Sequence, residues 1–285
     1  MITKNIHFLK LGVTDMRSKI FILLAIAPLA AFPLEAQAAI NLGTAGNFAV
    51  LAGSTVTNTG TTVINGGDVG VSPGTAITGF PPGTITAPYT TDSGNAAAAQ
   101  AQADLTSAYN AAAGYSPTQA LTGQDLGGLN LTPGVYSFAS SAQLTGTLTL
   151  NDQGNSEAQF VFQIGSTLTT ATSSSVVTIN AGPTPDCNIF WQVGSSATLG
   201  TTTAFEGHIL ALTSITMNTG ATITDGSALA RNGAVTLDAN TITNCAASAS
   251  PLAVPLPATL PLVFLGTLLV GVPAMVMRSR KLHVC

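Results

Sequence analysis

The sequence predicts an all-β fold with one long helix: a stacked β-solenoid flanked by a single α-helix. Three observations carry this. First, three stretches near the C-terminus are variants of one phrase: Ser196-Ala-Thr-Leu-Gly-Thr-Thr-Thr-Ala-Phe205, Ser214-Ile-Thr-Met-Asn-Thr-Gly-Ala-Thr-Ile223 and Ala234-Val-Thr-Leu-Asp-Ala-Asn-Thr-Ile242. Thr198, Thr216 and Thr236 share one column, Leu199, Met217 and Leu237 the next, and Phe205, Ile223 and Ile242 close each unit. The step of roughly 18–20 residues is the length of one solenoid coil. Second, most of the remaining body consists of short runs rich in Val, Ile and Thr, bounded by Gly, Asn and Pro, which read as strands and turns. Third, only one segment has convincing helical periodicity, and it is rich in alanine.

Taken in order, residues 40–85 give the runs Phe48-Ala-Val-Leu, Ser54-Thr-Val-Thr, Thr61-Thr-Val-Ile and Asp68-Val-Gly-Val, with Pro81-Pro82-Gly83 as a loop. A helix is predicted over about 93–113, capped by Asp92 or Ser93 and ended by Gly114. Its Ala98, Ala101, Leu105, Ala108 and Ala112 fall on one face, small enough to lie close along a solenoid wall. Strands resume at Leu121 and include the alternating Leu144-Thr-Gly-Thr-Leu-Thr-Leu150. Phe160-Val-Phe-Gln-Ile-Gly is echoed by Phe190-Trp-Gln-Val-Gly, with an insertion carrying Pro183, Pro185 and Cys187 between them. The threonine coils follow, and the body, 39–245, ends near Asn244, before a small-residue linker over 246–253.

Both ends read as addresses. Arg17 and Lys19 precede a short apolar run, and Ala36-Gln-Ala38 follows it, the layout of a secretory signal peptide over 1–38 cleaved after Ala38. The alternative is an uncleaved anchor. Residues 260–277 form an uncharged apolar stretch long enough to be a transmembrane helix, followed at once by Arg278, Arg280 and Lys281. Before it stands Val254, Pro255, Leu256, Pro257, Ala258. This order over 254–285 resembles the VPLPA type of PEP-CTERM sorting signal, with Leu256 where the better-known form has Glu. The resemblance implies a sorting protease or transpeptidase at the inner membrane of a Gram-negative bacterium, often alongside exopolysaccharide secretion. A plain C-terminal membrane anchor is the alternative.

Composition narrows the function. Charged residues make up 7% of the chain, and between Ala39 and Pro251 the single basic side chain, Arg231, stands against ten Asp and Glu. Such a body cannot neutralise a run of phosphates, so nucleic-acid binding is not expected. His208 is the one histidine of the body. Asp68, Asp125, Asp152, Asp186, Asp225 and Asp238 are scattered as turn formers are, with no clustered carboxylates for glycoside cleavage. No spacing suggests zinc or a calcium repeat, so no metal, no cofactor and no enzymatic activity are expected. Cys187 and Cys245 bracket the repeating coils, and export makes a disulfide between them a candidate, two free thiols being the alternative. Trp191 and Tyr136 read as buried strand residues.

Several segments in this order resemble the DUF3494 ice-binding family: Leu42-Gly-Thr-Ala-Gly-Asn-Phe-Ala-Val-Leu-Ala-Gly-Ser-Thr-Val-Thr-Asn-Thr-Gly, Gly67-Asp-Val-Gly-Val-Ser-Pro-Gly, Leu131-Thr-Pro-Gly-Val-Tyr, Phe160-Val-Phe-Gln-Ile-Gly-Ser, Asn188-Ile-Phe-Trp-Gln-Val-Gly-Ser-Ser-Ala-Thr-Leu-Gly and Gly207-His-Ile-Leu-Ala. The likeness covers about 40–245. It implies an irregular right-handed β-helix of triangular section with one long helix alongside, its N-terminal coils stacked next to its C-terminal ones. It also implies a secreted, non-enzymatic, monomeric protein whose partner is an ice crystal surface. Threonine suits that task, because its hydroxyl anchors one water, its methyl orders the next, and its χ1 is stiff. The motif Thr-Ala/Gly-x-Thr/Asn, carried by some members, occurs here as Thr44-Ala-Gly-Asn47, Thr59-Gly-Thr-Thr62, Thr75-Ala-Ile-Thr78 and Thr219-Gly-Ala-Thr222. The expected ice face uses the C-terminal coils: Thr198, Thr201, Thr216, Thr219, Thr222, Thr236 and Thr241. The competing reading is a non-enzymatic cell-surface or exopolysaccharide-matrix protein, structural or adhesive, on the same fold without ice affinity.

Overall fold

The computed structural model describes residues 39–155, 157–181 and 187–245. The leader, the linker, the sorting motif and the apolar segment 260–277 lie outside the described residues. The body is built from three parallel sheets of nine, seven and eight strands. The chain visits them in rotation, one strand each per coil, so the cross-section has three sides. The coil starting at Ile189–Val193 continues through Ala197–Leu199 to Ala204–Glu206, and the next runs His208–Ala211, Ile215–Met217, Thr222–Thr224. The columns read from the sequence are spatial rows: Thr198 pairs with Thr216 and Thr216 with Thr236, Leu199 with Met217 and Met217 with Leu237, Phe205 with Ile223 and Ile223 with Ile242.

Stacking order departs from chain order at one place. Phe48–Ala52 pairs with Ala228–Ala230, so the first coil sits beside the last. The same junction recurs on the other sheets, where Thr57 meets Thr236 and Ile64 meets Ile242. Asn240 N donates to Thr62 Oγ1, 178 positions earlier, at 3.1 Å. The helix makes this possible. The chain leaves the first sheet at one terminal strand, Thr91–Ser93, and re-enters at the other, Gln119–Ala120. Nine strands at ~4.8 Å span roughly 38 Å, and a helix of 19 residues covers ~28 Å of it.

That helix is Ala96–Gly114. Its N-cap is Asn95, whose side chain accepts from Ala98 N at 3.0 Å. Asp92 and Ser93, the expected caps, belong instead to the preceding strand, and Asp92 Oδ1 accepts from Asn95 Nδ2 at 2.6 Å. Ala98, Ala101, Leu105, Ala108 and Ala112 are all buried, and with Tyr109 they pack on Val135, Val161, Phe190, Leu210, Leu229 and Leu51 of the first sheet. Gln163 Nε2 donates to the carbonyls of Ala112 and Tyr115 at 2.8 Å each, capping the helix C-terminus from the sheet. The body's lone cation is used here too, with the Arg231 guanidinium 4.7 Å above the Tyr109 ring.

The interior is one column of stacked side chains. Tyr136, Phe162 and Trp191 lie in successive coils, with ring centroids 5.5 and 3.9 Å apart. Trp191 is fully buried and its Nε1 donates to Glu206 O at 3.0 Å. The terminal strands are short, Ala76–Thr78 and Thr84–Ile85 beside Pro73, Pro81, Pro82 and Pro88 at one end, Gln119–Ala120 and Asn130–Leu131 at the other. Short, proline-flanked edges offer little template for pairing with another chain.

His208 shows how tightly the corners close. It is buried, its Nδ1 is 2.8 Å from Ser227 Oγ, and it stacks on Phe190 at 5.5 Å. Burial holds off its protonation from the usual 6.5 to about 4, against a hydrogen bond to the Cys187 backbone that favours the charged form. Between those pH values the unfolded chain binds a proton that the folded chain refuses. Stability from this group is therefore complete above pH 6.5 and is lost as pH falls towards 4, by up to about 3 kcal/mol. Urea midpoints followed from pH 7 to 4 should show this slope, and His208→Gln should flatten it.

Candidate functional site

The three outer faces differ. The first sheet is covered by the helix and by residues 40–47, so it offers no flat surface. The third sheet is open but interrupted. Its strands Ser175–Ile179 and Ala204–Glu206 pair only at Ser175 and Ala204. Beyond that point lies a shallow hollow of about 300 Å³ lined by residues including Val177, Phe205 and Glu206. Burial raises the Glu206 carboxyl above the usual range while Thr178 Oγ1 donates to it at 2.9 Å. Val177 and Ile179 stand exposed beside it.

The second sheet carries a continuous row. Register places Gln143 beside Thr169, Thr169 beside Thr198, Thr198 beside Thr216, Thr216 beside Thr236, Thr236 beside Thr57, and Thr57 beside Thr78. Six threonines thus follow one another on consecutive strands at ~4.8 Å. All six are at least partly exposed. Among the described residues, none of their hydroxyls has a protein hydrogen-bond partner. The row keeps its register because most of its strands bury the flanking positions: Val56, Ala197, Leu199, Ile215, Met217, Val235 and Leu237 point into the core, and a slip of one residue would reverse the faces. At the corner with the first sheet, hydroxyls are spent on the protein: Thr167 Oγ1 donates to Ser141 Oγ at 2.9 Å, and Ser214 Oγ accepts from Ala234 N at 3.2 Å.

The seven threonines expected from the sequence do not share a face. Thr198, Thr216 and Thr236 lie in the row. Thr222 and Thr241 are neighbours on the third sheet, in a row broken by Ala204 on one side and Val63 on the other. Thr201 and Thr219 lie in the turns between the two sheets, and the Thr219 hydroxyl donates to Asp238 Oδ2. The coil turns a corner within each repeat, so threonines close in sequence end on different sides. Thr169, Thr57 and Thr78 were missed. Thr57 and Thr78 belong to coils at the far end of the chain, and Thr169 precedes the insertion that breaks the repeat. The T-x-T alternation of Thr55-Val-Thr57 was the available signal. Of the four short motifs, Thr44 is held by Asp104 at 2.7 Å, Thr62 is buried against Asn58, and only Thr75-Ala-Ile-Thr78 reaches the row, through Thr78.

Several of the remaining polar groups are engaged in structure. Two hydrogen bonds from Thr44 hold the Asp104 carboxyl below the usual range, and Asp125 accepts from the Gly127 and Thr145 amides at 2.7 and 2.9 Å. Among the described residues no group of three potential metal ligands occurs. Cys187 and Cys245 are joined in a disulfide, Cα to Cα 5.8 Å.

Fold and site together define a class: a three-sided parallel solenoid with one wall covered by a helix and another carrying an open row of threonines. The chain belongs to the ice-binding-like family, whose model matches residues 50–243. It is 55% identical to an ice-binding protein from Nostoc sp. (strain HG1) over 79% of this chain and 82% of that one. It is 37% identical to one from Colwellia sp. over 72% and 83%. Among solved structures, an ice binding protein from an Antarctic biological consortium superposes with a TM-score of 0.68 at 49% identity, covering 73% of this chain and 92% of that one. The protein from the Antarctic ascomycete Antarctomyces psychrotrophicus gives 0.66 at 42%, covering 72% and 98%.

Proposed function

We infer that this protein adsorbs to ice through the second sheet and thereby limits ice growth or recrystallisation. The observation that carries the reading is the row Thr169, Thr198, Thr216, Thr236, Thr57 and Thr78, whose hydroxyls are unspent and whose spacing is fixed by the sheet. Each hydroxyl is free to hold one water, and each methyl leaves its neighbours to order without competition. Stiff χ1 angles mean that little side-chain freedom is lost on contact. No charged side chain stands in the row to hold disordered hydration.

The activity is non-enzymatic in this reading. His208 is buried, and the Asp104 and Asp125 carboxyls are held by hydrogen bonds from Thr44, Gly127 and Thr145. The protein is exported, acts outside the cell as a monomer, and is handed by its C-terminal signal to a sorting protease or transpeptidase at the inner membrane, with exopolysaccharide as a further partner. Ice-affinity partition of the exported protein tests the function. Enrichment in the ice fraction is expected, and exclusion from it at micromolar concentration would favour a matrix role without ice affinity.

A further inference from the structure

The threonine row has two sides, and they differ in charge. Two residues before each row threonine stand Ala76, Thr55, Ala234, Ser214, Ser196 and Thr167, all short and uncharged. Two residues of a parallel strand span ~6.6 Å, so these positions border the row towards the corner with the first sheet. Two of their hydroxyls accept from the neighbouring strand's backbone: Ser196 Oγ from Ser214 N at 3.3 Å, and Ser214 Oγ from Ala234 N at 3.2 Å.

The other side, towards the third sheet, carries Asp238. Strand Val235–Asp238 buries Val235 and Leu237 and turns Thr236 and Asp238 outward. Register sets Asp238 beside the exposed Thr59. Asp238 is the one charged side chain in the seven strands of this sheet. Asp125 bridges to Gln143, past the end of the threonine run and outside those strands. Thr219, in the turn of the preceding coil, donates to Asp238 Oδ2. No cation offsets the charge among the described residues. Arg231 lies over Tyr109, and His208 belongs to a strand of the first sheet.

A carboxylate binds its water through charge-assisted hydrogen bonds aimed at its own lone pairs. Stripping that water without a counter-charge is costly. A solid surface settling on Thr236 must therefore displace the Asp238 hydration or stop short of it. Towards Thr55, Ser214 and Ser196 it meets no such obstacle. We propose that Asp238 sets the edge and the strength of the ice contact. Contact spreads from the threonine row towards the first-sheet corner, and the Asp238 carboxylate weakens it at Thr236 and keeps Thr59 out of it. This deepens the ice-adsorption reading and rests on it.

The test compares ice partition and recrystallisation inhibition of the exported protein with those of four variants, each checked by its urea midpoint. Asp238→Asn keeps the shape and an acceptor for Thr219. Asp238→Ser keeps neither, but shares the loss of charge. Both should lower the concentration needed for half-maximal effect by roughly two- to fivefold, the scale of a partly exposed charge. The converse pair places a charge on the neutral side. Thr55→Asp should raise that concentration by at least as much, while Thr55→Asn should stay close to the parent. The proposal is overturned if the neutral variants at Asp238 fold like the parent and bind ice no better, or if Thr55→Asp matches Thr55→Asn. Exclusion of the parent itself from ice is a different result, and it removes the ice reading as a whole.

Discussion

Thr216→Tyr should remove most of the ice activity while leaving the fold intact. Thr216 stands near the middle of the row, between Thr198 and Thr236, on the outward side of a strand whose alternate residues Ile215 and Met217 are buried. A tyrosine there suits a pleated, half-exposed strand position, so urea stability should stay within about 0.5 kcal/mol. Its ring would stand above a plane that otherwise ends in methyls and hydroxyls, and would hold the neighbouring threonines off any flat surface. A steric misfit of this kind costs about 1–3 kcal/mol, equivalent to roughly 5- to 150-fold in affinity. Thermal hysteresis and recrystallisation inhibition are the readouts. The discriminating partner is Thr241→Tyr on the third sheet, which should leave both nearly unchanged. If Thr241→Tyr abolishes activity and Thr216→Tyr does not, the assignment of the face is wrong.

Gly226→Ala should be among the most damaging small substitutions in the body. Gly226 and Gly207 occupy equivalent corners of successive coils. A Cβ on Gly226 would lie 1.9 Å from Gly207 O and 2.2 Å from Gly207 C. Those are backbone atoms, and the corner is pinned: Gly207 N donates to Thr224 O and Gly226 N to Thr243 O, each at 3.2 Å. Gly207 cannot withdraw, because it holds φ +98° over Ile189. The cost should reach about 3 kcal/mol or more, beyond ordinary overpacking. For a body of this size that lowers Tm by roughly 6–12 °C. Gly114→Ala is the control. It ends the helix with open space around the added carbon, so it should be neutral or stabilising by about 0.5–1 kcal/mol. A Tm for Gly226→Ala within 2 °C of the parent, roughly the effect of 1 kcal/mol or less, would refute the corner argument.

The fold was legible because solenoid coils repeat and because alanine-rich helical periodicity is rare in such a chain. Columns such as Leu199, Met217 and Leu237 translate directly into buried rows. The site was legible only in part, for a geometric reason. A repeat reveals which residues are equivalent, and Thr198, Thr216 and Thr236 were found that way. It does not reveal where within the repeat the chain turns a corner, so Thr222 and Thr241 were placed on the same face although Gly220 and Asn240 mark the turn between. Nor does it reveal that Thr57 and Thr78 complete the row, since nothing local in Thr55-Val-Thr57 announces a partner at the other end of the chain. The third sheet's interruption was invisible for a related reason: Glu206 is one acidic residue in a strand, and only pairing shows it beside a gap.

The pairing of the first coil with the last also bears on how the molecule comes into being. Strand Phe48–Ala52 has Asp68–Val71 on one side and needs Ala228–Ala230 on the other. As the chain is synthesised N-terminus first, strand Phe48–Ala52 lacks its Ala228–Ala230 neighbour until almost the whole body has been made. The opening coils must wait, unassembled, while the helix and the later coils collect. Such long-range closure is intrinsically slow. A slow last step places the completion of the six-threonine row, at Thr236 and Thr57, among the final events of assembly.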